Sequence, residues 1–151
     1  MDELVPAAEE VADAYHRLVL LAAPIAGGKT ARLASVAKKE GWPLLNVNQV
    51  VASGLLELEV GEHAIQCKRV LTGALSSVEQ SVVALDNIEM LFEEHLRQDP
   101  LRLLQSLSRT MTLVVSWPGS YDGRNLTFAD PGHRDYRKYV DPGVRILTMH
   151  A

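Results

Sequence analysis

Three stretches of this chain carry side chains whose types and spacing suit phosphate chemistry. In the first, the apolar run Leu18-Val-Leu-Leu-Ala-Ala23 empties into Pro24-Ile-Ala-Gly-Gly-Lys-Thr30. A triphosphate must be wrapped closely by backbone N–H groups, so such a loop is built of small residues and the following helix points its N-terminus at the anion. Ala26, Gly27 and Gly28 allow that approach, and Ala31 continues it into the first helical turn. Lys29 would reach the β- and γ-phosphates of ATP, and the Thr30 hydroxyl would join the oxygen shell of a magnesium ion. The pattern departs from G-x-x-x-x-G-K-[ST] at Ala23, where a non-glycine residue forced into a left-handed conformation costs about 1–2 kcal/mol. Either the loop avoids that conformation or it tolerates the strain. A turn merely rich in small residues is the competing reading, and the strand signal before the loop and helix signal after it argue against that.

The second stretch, Val82-Val-Ala-Leu-Asp86-Asn87-Ile88-Glu89, is a buried strand pattern that ends abruptly in a carboxylate. It looks like a Walker B strand, with Asp86 placed to hold magnesium and to hydrogen-bond Thr30. The alternative is an N-cap aspartate for the next helix, and both roles can coexist. Asn87 stands where hydrolysing enzymes of this kind commonly carry glutamate; an amide orients water but cannot take its proton. Glu89 is either a base or a complement to a helix dipole. In the third, Met111 to Ser116 ends in a polar residue that is either a γ-phosphate sensor or a strand cap. Just before it, Arg109 is either a finger completing a neighbour's site, for which its planar fork is suited, or a solvated helix-end cation.

These residues need a scaffold that brings distant strand ends together. The chain has 151 residues, 47% of them hydrophobic, and a net charge of −4, which suits one domain with a substantial core. The acidic start Met1-Asp-Glu-Leu has no signal-type apolar stretch, and no apolar run approaches the ~20 residues of a membrane helix, so a cytoplasmic protein with no membrane contact is expected. The single cysteine, Cys67, excludes an internal disulfide and reads as a small core residue.

Periodicity predicts a helix near residues 6–16, strand 17–22, helix 29–40, strand 44–48, helices near 49–58 and 62–79, and strand 81–86. Helices near 88–96 and 99–109 follow, the second opened by Asp99-Pro100, then strand 111–116. Residues 117–143 read as irregular, with a short strand at 126–128, before a closing strand over 144–149. The expected fold is therefore α/β. It is a single P-loop NTPase core of the additional-strand (RecA/AAA+-like) class over residues 1–151, a mostly parallel five-stranded sheet flanked by helices, with no lid domain.

From Arg124 to Arg145 five basic residues face three acidic ones, with His133, Tyr136 and Tyr139 interleaved. This segment is read either as a DNA-tracking element or as a partner surface, and the acidic whole weakens the first reading.

Four further strings carry a family resemblance: Leu-Asp-Asn-Ile-Glu-Met-Leu-Phe (85–92), Asp-Pro-Leu-Arg-Leu-Leu-Gln-Ser-Leu-Ser-Arg (99–109), Ser-Trp-Pro-Gly (116–119) and Leu-Thr-Phe-Ala-Asp-Pro-Gly-His-Arg-Asp-Tyr-Arg-Lys-Tyr (126–139). Together they resemble the BrxF family, small P-loop proteins of type III BREX bacteriophage-defence systems, over nearly the whole chain. The resemblance implies a cytoplasmic bacterial protein acting beside a methyltransferase, a larger ATPase and an alkaline-phosphatase-like component. The expected function is an ATP-binding subunit of such a complex, with weak or partner-dependent hydrolysis and possible assembly into homo-oligomers. The alternatives are a non-catalytic nucleotide-gated scaffold and a DNA-binding accessory protein.

Overall fold

Leu18–Ala23, six apolar residues in a row, form the central strand β1, and each is buried because both faces of the sheet are covered. Successive side chains of a strand point to opposite faces. Leu18, Leu20 and Ala22 accordingly join one hydrophobic core, and Val19 and Leu21 join another. The computed structural model of the chain describes residues 3–23, 28–129 and 131–148. After a short helix α1 (Leu4–Glu10) and β1, the order is α2 (Lys29–Glu40), β2 (Leu44–Asn46), α3 (Val47–Leu55), α4 (Val60–Ser76) and β3 (Val82–Asp86). Two 3₁₀ turns (Glu89–Phe92 and Glu94–Leu96) lead to α5 (Pro100–Leu107), β4 (Thr112–Tyr121), β5 (Asn125–Phe128), β6 (Arg137–Val140) and β7 (Arg145–Thr148).

The fold is α/β, with a mostly parallel sheet between helices. Strands run in the order β2-β3-β4-β1-β7, all parallel. Because they are parallel, their C-terminal ends share one end of the sheet, where a crevice for a ligand forms in folds of this kind. Helices α3, α4 and α5 cover one face through Val51, Leu71 and Leu104, and α1 and α2 cover the other through Leu4 and Leu33. Each such side chain contributes about 1.5–3 kcal/mol by leaving water.

Local chemistry explains the element ends. Helix α2 starts after Gly28 and stops at Gly41, both left-handed at φ 74°, with Lys38 and Lys39 complementing its C-terminal dipole. Asn46 accepts from the Gln49 N–H at 3.0 Å and starts α3 two residues earlier than periodicity suggests, which shortens β2. Asp99 caps α5 through the Arg102 N–H, with Pro100 in the first turn.

The structure corrects four expectations. Among the described residues the sheet has seven strands rather than five. β4 does not stop at Ser116. Pro118 is its last residue paired with β1, opposite Ala23, and Gly119 is the first paired with β5, opposite Phe128, so the strand changes partner at Pro-Gly and carries an antiparallel β5–β6 hairpin. Residues 117–143 are thus largely ordered around Trp117, which is fully buried and edge-on to Phe92, itself stacked on Phe128 at 3.7 Å. The helix expected near 88–96 is instead the two 3₁₀ turns, separated by an extended Glu93 at ψ 134°. Finally, α1 is shorter than residues 6–16, because the chain turns after Glu10 and sets Tyr15 beneath the Arg109 guanidinium, 4.3 Å from the ring centre.

Candidate functional site

Asp86 ends β3, Ser116 lies beside it in β4, and Thr30 opens α2 at the same end of the sheet. The register places Ser116 opposite Leu21 of β1, two residues before that strand ends, and Leu85 opposite Val115. Three donors converge on one oxygen of Asp86. Ser116 Oγ donates to Oδ1 at 2.7 Å, the Asn87 N–H at 2.8 Å and Thr30 Oγ1 at 3.3 Å. Asp86 and Ser116 are almost entirely buried. Three donors on one oxygen anchor the carboxylate in one orientation. The second oxygen, Oδ2, has no hydrogen-bond partner among the described residues and is not sealed from solvent, so it is free to meet a ligand.

Lys29 stands beside Thr30 and is 5% exposed. It makes no hydrogen bond or ion pair to another described residue. Its ammonium is not sealed from solvent and has no carboxylate partner among the described residues, so it adds a positive charge at the start of α2, where an anion would be favoured. The first intrahelical bond of α2 is Arg32 N–H to Gly28 C=O at 3.2 Å, which leaves the amides of Lys29, Thr30 and Ala31 pointing out of the helix start. Ala26 and Gly27, expected in the same loop, lie outside the described residues. Ala23 is the last residue of β1 and has no positive φ, so the left-handed strain that a non-glycine residue would carry there does not arise.

Asn87 does adopt a left-handed conformation, φ 53°, which asparagine tolerates better than most residues. The turn is fixed from α3 by Asn48, a residue that sequence reasoning missed. The Asn48 N–H donates to the Asn87 carbonyl at 2.8 Å, and its Oδ1 accepts from the Met90 N–H at 2.8 Å. Because a backbone N–H occupies Oδ1, the opposite corner of the amide must be the donor, and Nδ2 donates to Glu89 Oε2 at 3.3 Å. Asn48 thus serves the first 3₁₀ turn as a remote cap, a role Asp86 does not take, since that turn is capped at Ile88 without a side-chain bond. The only sequence signal was a second asparagine two residues after the α3 cap, too common in loops to single out.

Among the described residues no three His, Cys, Asp or Glu side chains group so as to hold a metal ion. Thr30 and Asp86 would leave most of a cation's shell to water and ligand oxygens.

Arg109 does not belong to this cluster. It precedes β4, at the other end of the sheet, where its carbonyl accepts from Arg17 at 3.2 Å and its guanidinium lies over Tyr15. The basic residues of the 124–145 segment are partly neutralised. Arg124 pairs with Asp141 and Arg134 with Glu94, each at 3.7 Å, and Arg145 pairs with Glu10 at 3.0 Å. Tyr139 faces inward, edge-on to Trp117 and donating to Asp99 at 2.8 Å, so its ring is not presented to a nucleic-acid base. Among the described residues no helix is long and apolar enough to cross a membrane. In comparisons with known proteins, the sequence matches no family model and no curated protein.

Proposed function

We propose that this chain is an ATP- and magnesium-binding P-loop protein of the additional-strand class, a cytoplasmic subunit of a bacterial BREX phage-defence complex whose hydrolysis depends on a partner. The observation that carries the nucleotide reading is the convergence of Thr30, Ser116 and the Asn87 N–H on Asp86 Oδ1 beside Lys29, which has no carboxylate partner among the described residues. The defence context rests on the resemblance of residues 85–92, 99–109, 116–119 and 126–139 to the BrxF family. Strand order β2-β3-β4-β1-β7, with a strand between the two motif-bearing ones, is the arrangement the additional-strand class requires.

In this reading the α2 amides and Lys29 bind the β- and γ-phosphates, Lys29 by charge and the amides by direct hydrogen bonds. Thr30 Oγ1 and Asp86 Oδ2 are the groups that would hold a magnesium ion, which would supply neutralisation of the phosphate charge. Ser116 keeps Asp86 oriented, and because its one hydroxyl proton is donated there it senses the γ-phosphate through that carboxylate. A water attacking the γ-phosphorus forms the new P–O bond as the bond to the β-phosphate oxygen breaks. Asn87 and Glu89 are the groups that can orient that water, and Glu89 can accept its proton. In this reading further positive charge for the transition state comes from another subunit, a second copy or another defence component.

Asn87 in place of a carboxylate, and Glu89 already engaged by Asn48, favour one second reading: a nucleotide-gated scaffold that binds without turnover. The deciding experiment is a calorimetric titration with ATP and magnesium beside Lys29→Ala. Saturable binding lost in the variant upholds the nucleotide site, and absence of binding to the native chain refutes it. Phosphate release that rises steeply with protein concentration then selects the ATPase, and tight binding with flat, negligible release selects the scaffold. DNA binding at low salt that weakens on neutralising Arg134, Arg137 and Lys138 would add the accessory role.

A further inference from the structure

We propose that a cleft at the end of the sheet opposite the nucleotide site binds an organic cation, an alkyl guanidinium or alkyl ammonium group. The cleft encloses about 400 Å³ between α1 and the turn from α2 to β2. Its chemistry comes from Trp42, Glu9, Glu40, Arg17, Ser81 and Thr112.

The first observation is an unsatisfied group on its wall. Thr112 is 3% exposed, yet its hydroxyl has no hydrogen-bond partner among the described residues. Among those residues no side-chain oxygen fully sealed from solvent lacks a partner, so this hydroxyl reaches the open space of the cleft. A hydroxyl without a protein partner on the wall of the cleft can exchange its water for a ligand's donor or acceptor. The second observation is the charge balance. Glu9 and Glu40 have no ion-pair partner among the described residues. The one cation of the lining, Arg17, has a terminal nitrogen engaged by the Arg109 carbonyl at 3.2 Å. Two carboxylates against one engaged guanidinium leave the cleft net negative. The third is shape: Trp42, half-buried against the α1–α2 core, offers an indole face, and Val5 and Val82 offer apolar wall. An aliphatic stem along that wall would bring its cationic head to the carboxylates and the indole.

Such a cation is either a free metabolite-sized amine or a lysine or arginine side chain of a partner protein, and both present the same chemistry. The test uses tryptophan emission, since Trp117 is fully buried and Trp42 lines the cleft. The native chain is titrated with agmatine, spermidine, the peptide acetyl-Gly-Arg-Gly-amide and its norleucine analogue as the uncharged control. Saturable emission change with the cations and none with the control is expected. Glu9→Gln with Glu40→Gln should weaken binding by about tenfold or more, as loss of charge-assisted bonds does, and Thr112→Val by a smaller factor. Glu9 and Glu40 are exposed, so an unchanged melting temperature verifies that the double variant folds. Tighter binding of agmatine or spermidine assigns a free cation, and tighter binding of the arginine peptide assigns a partner's side chain. No saturable response to any cation, or equal affinity in the double variant, overturns the proposal. Neither result depends on whether ATP binds.

Discussion

Replacing Asn48 by aspartate exchanges one nitrogen for an oxygen of nearly the same size, so it preserves one contact and inverts another. The oxygen that accepts from Met90 N–H at 2.8 Å is retained. The corner that donates to Glu89 Oε2 at 3.3 Å becomes a second negative oxygen. Two unit charges at that separation repel by about 5 kcal/mol at an effective dielectric of 20 and about 1.3 kcal/mol in bulk water. Both residues are half-buried, so the screened value is taken near the lower end, about 1–2 kcal/mol at low salt. Asn48→Ala removes both bonds and leaves the Met90 N–H without its partner, which costs about 1–3 kcal/mol and does not respond to salt. Urea unfolding at low and high ionic strength separates the two. The aspartate variant should regain much of its loss in salt and the alanine variant should not. If turnover is observed, both variants should lower kcat while leaving ATP affinity intact, because Asn48 touches the turn proposed to position water and not Lys29. An aspartate variant as stable as the native protein at low salt, with no salt response, would refute the proposed Asn48–Glu89 bond.

Gly119→Ala should destabilise the chain by about 2–3 kcal/mol in urea titrations, the upper range for forced overpacking, because a Cβ there would lie 1.8 Å from the Thr127 carbonyl oxygen. Burial first, and then the hydrogen bond and charge of Asp99, raise the Tyr139 pKa above its ordinary 10.0. The folded state holds that proton longer, so stability is complete below pH 10 and falls as the pH climbs through the raised value. Tyr139→Phe should flatten this alkaline decline in thermal melts. Burial pushes the Cys67 thiol up to about 11, so a thiol reagent at neutral pH should label it only as fast as the native state opens; rapid labelling of native protein would show a different environment. Arg109→Ala should cost about 0.5–1 kcal/mol through the lost stacking on Tyr15 and leave calorimetric ATP affinity unchanged.

What was legible in the sequence was what local pattern dictates. Helix α2 has the bounds predicted for it, because glycines flank it and its apolar residues repeat at helical spacing. Continuous apolar runs marked β1, β3 and the inner half of β4. The outer half of β4 was hidden because Pro118 and Gly119 read as breakers. In the fold that pair is where the strand leaves β1 for β5, and the absent side chain at 119 is what admits the Thr127 carbonyl. Asp86 could be placed with Thr30 in advance because it ends an apolar strand and Thr30 opens the helix after another, whereas its bond to Ser116 follows from the register of β3 beside β4. Asn48 could not, since its contacts with Asn87, Glu89 and Met90 exist only once β2 lies beside β3. The helix expected after Asn87 failed for a similar reason: the left-handed turn and the remote cap favour tight 3₁₀ geometry over the periodic pattern.

The central position of β1 has a bearing on how the chain is made. It leaves the ribosome well before its two sheet neighbours, β4 and β7, which lie far along the sequence from it. Until they emerge, a six-residue apolar strand has both edges unpaired, and sheets joined by such distant segments form slowly. Throughout that interval the nascent protein carries an apolar strand with neither edge protected. Dependence on a trigger-type chaperone during expression, rather than on the mature protein's stability, would set the yield of soluble chain.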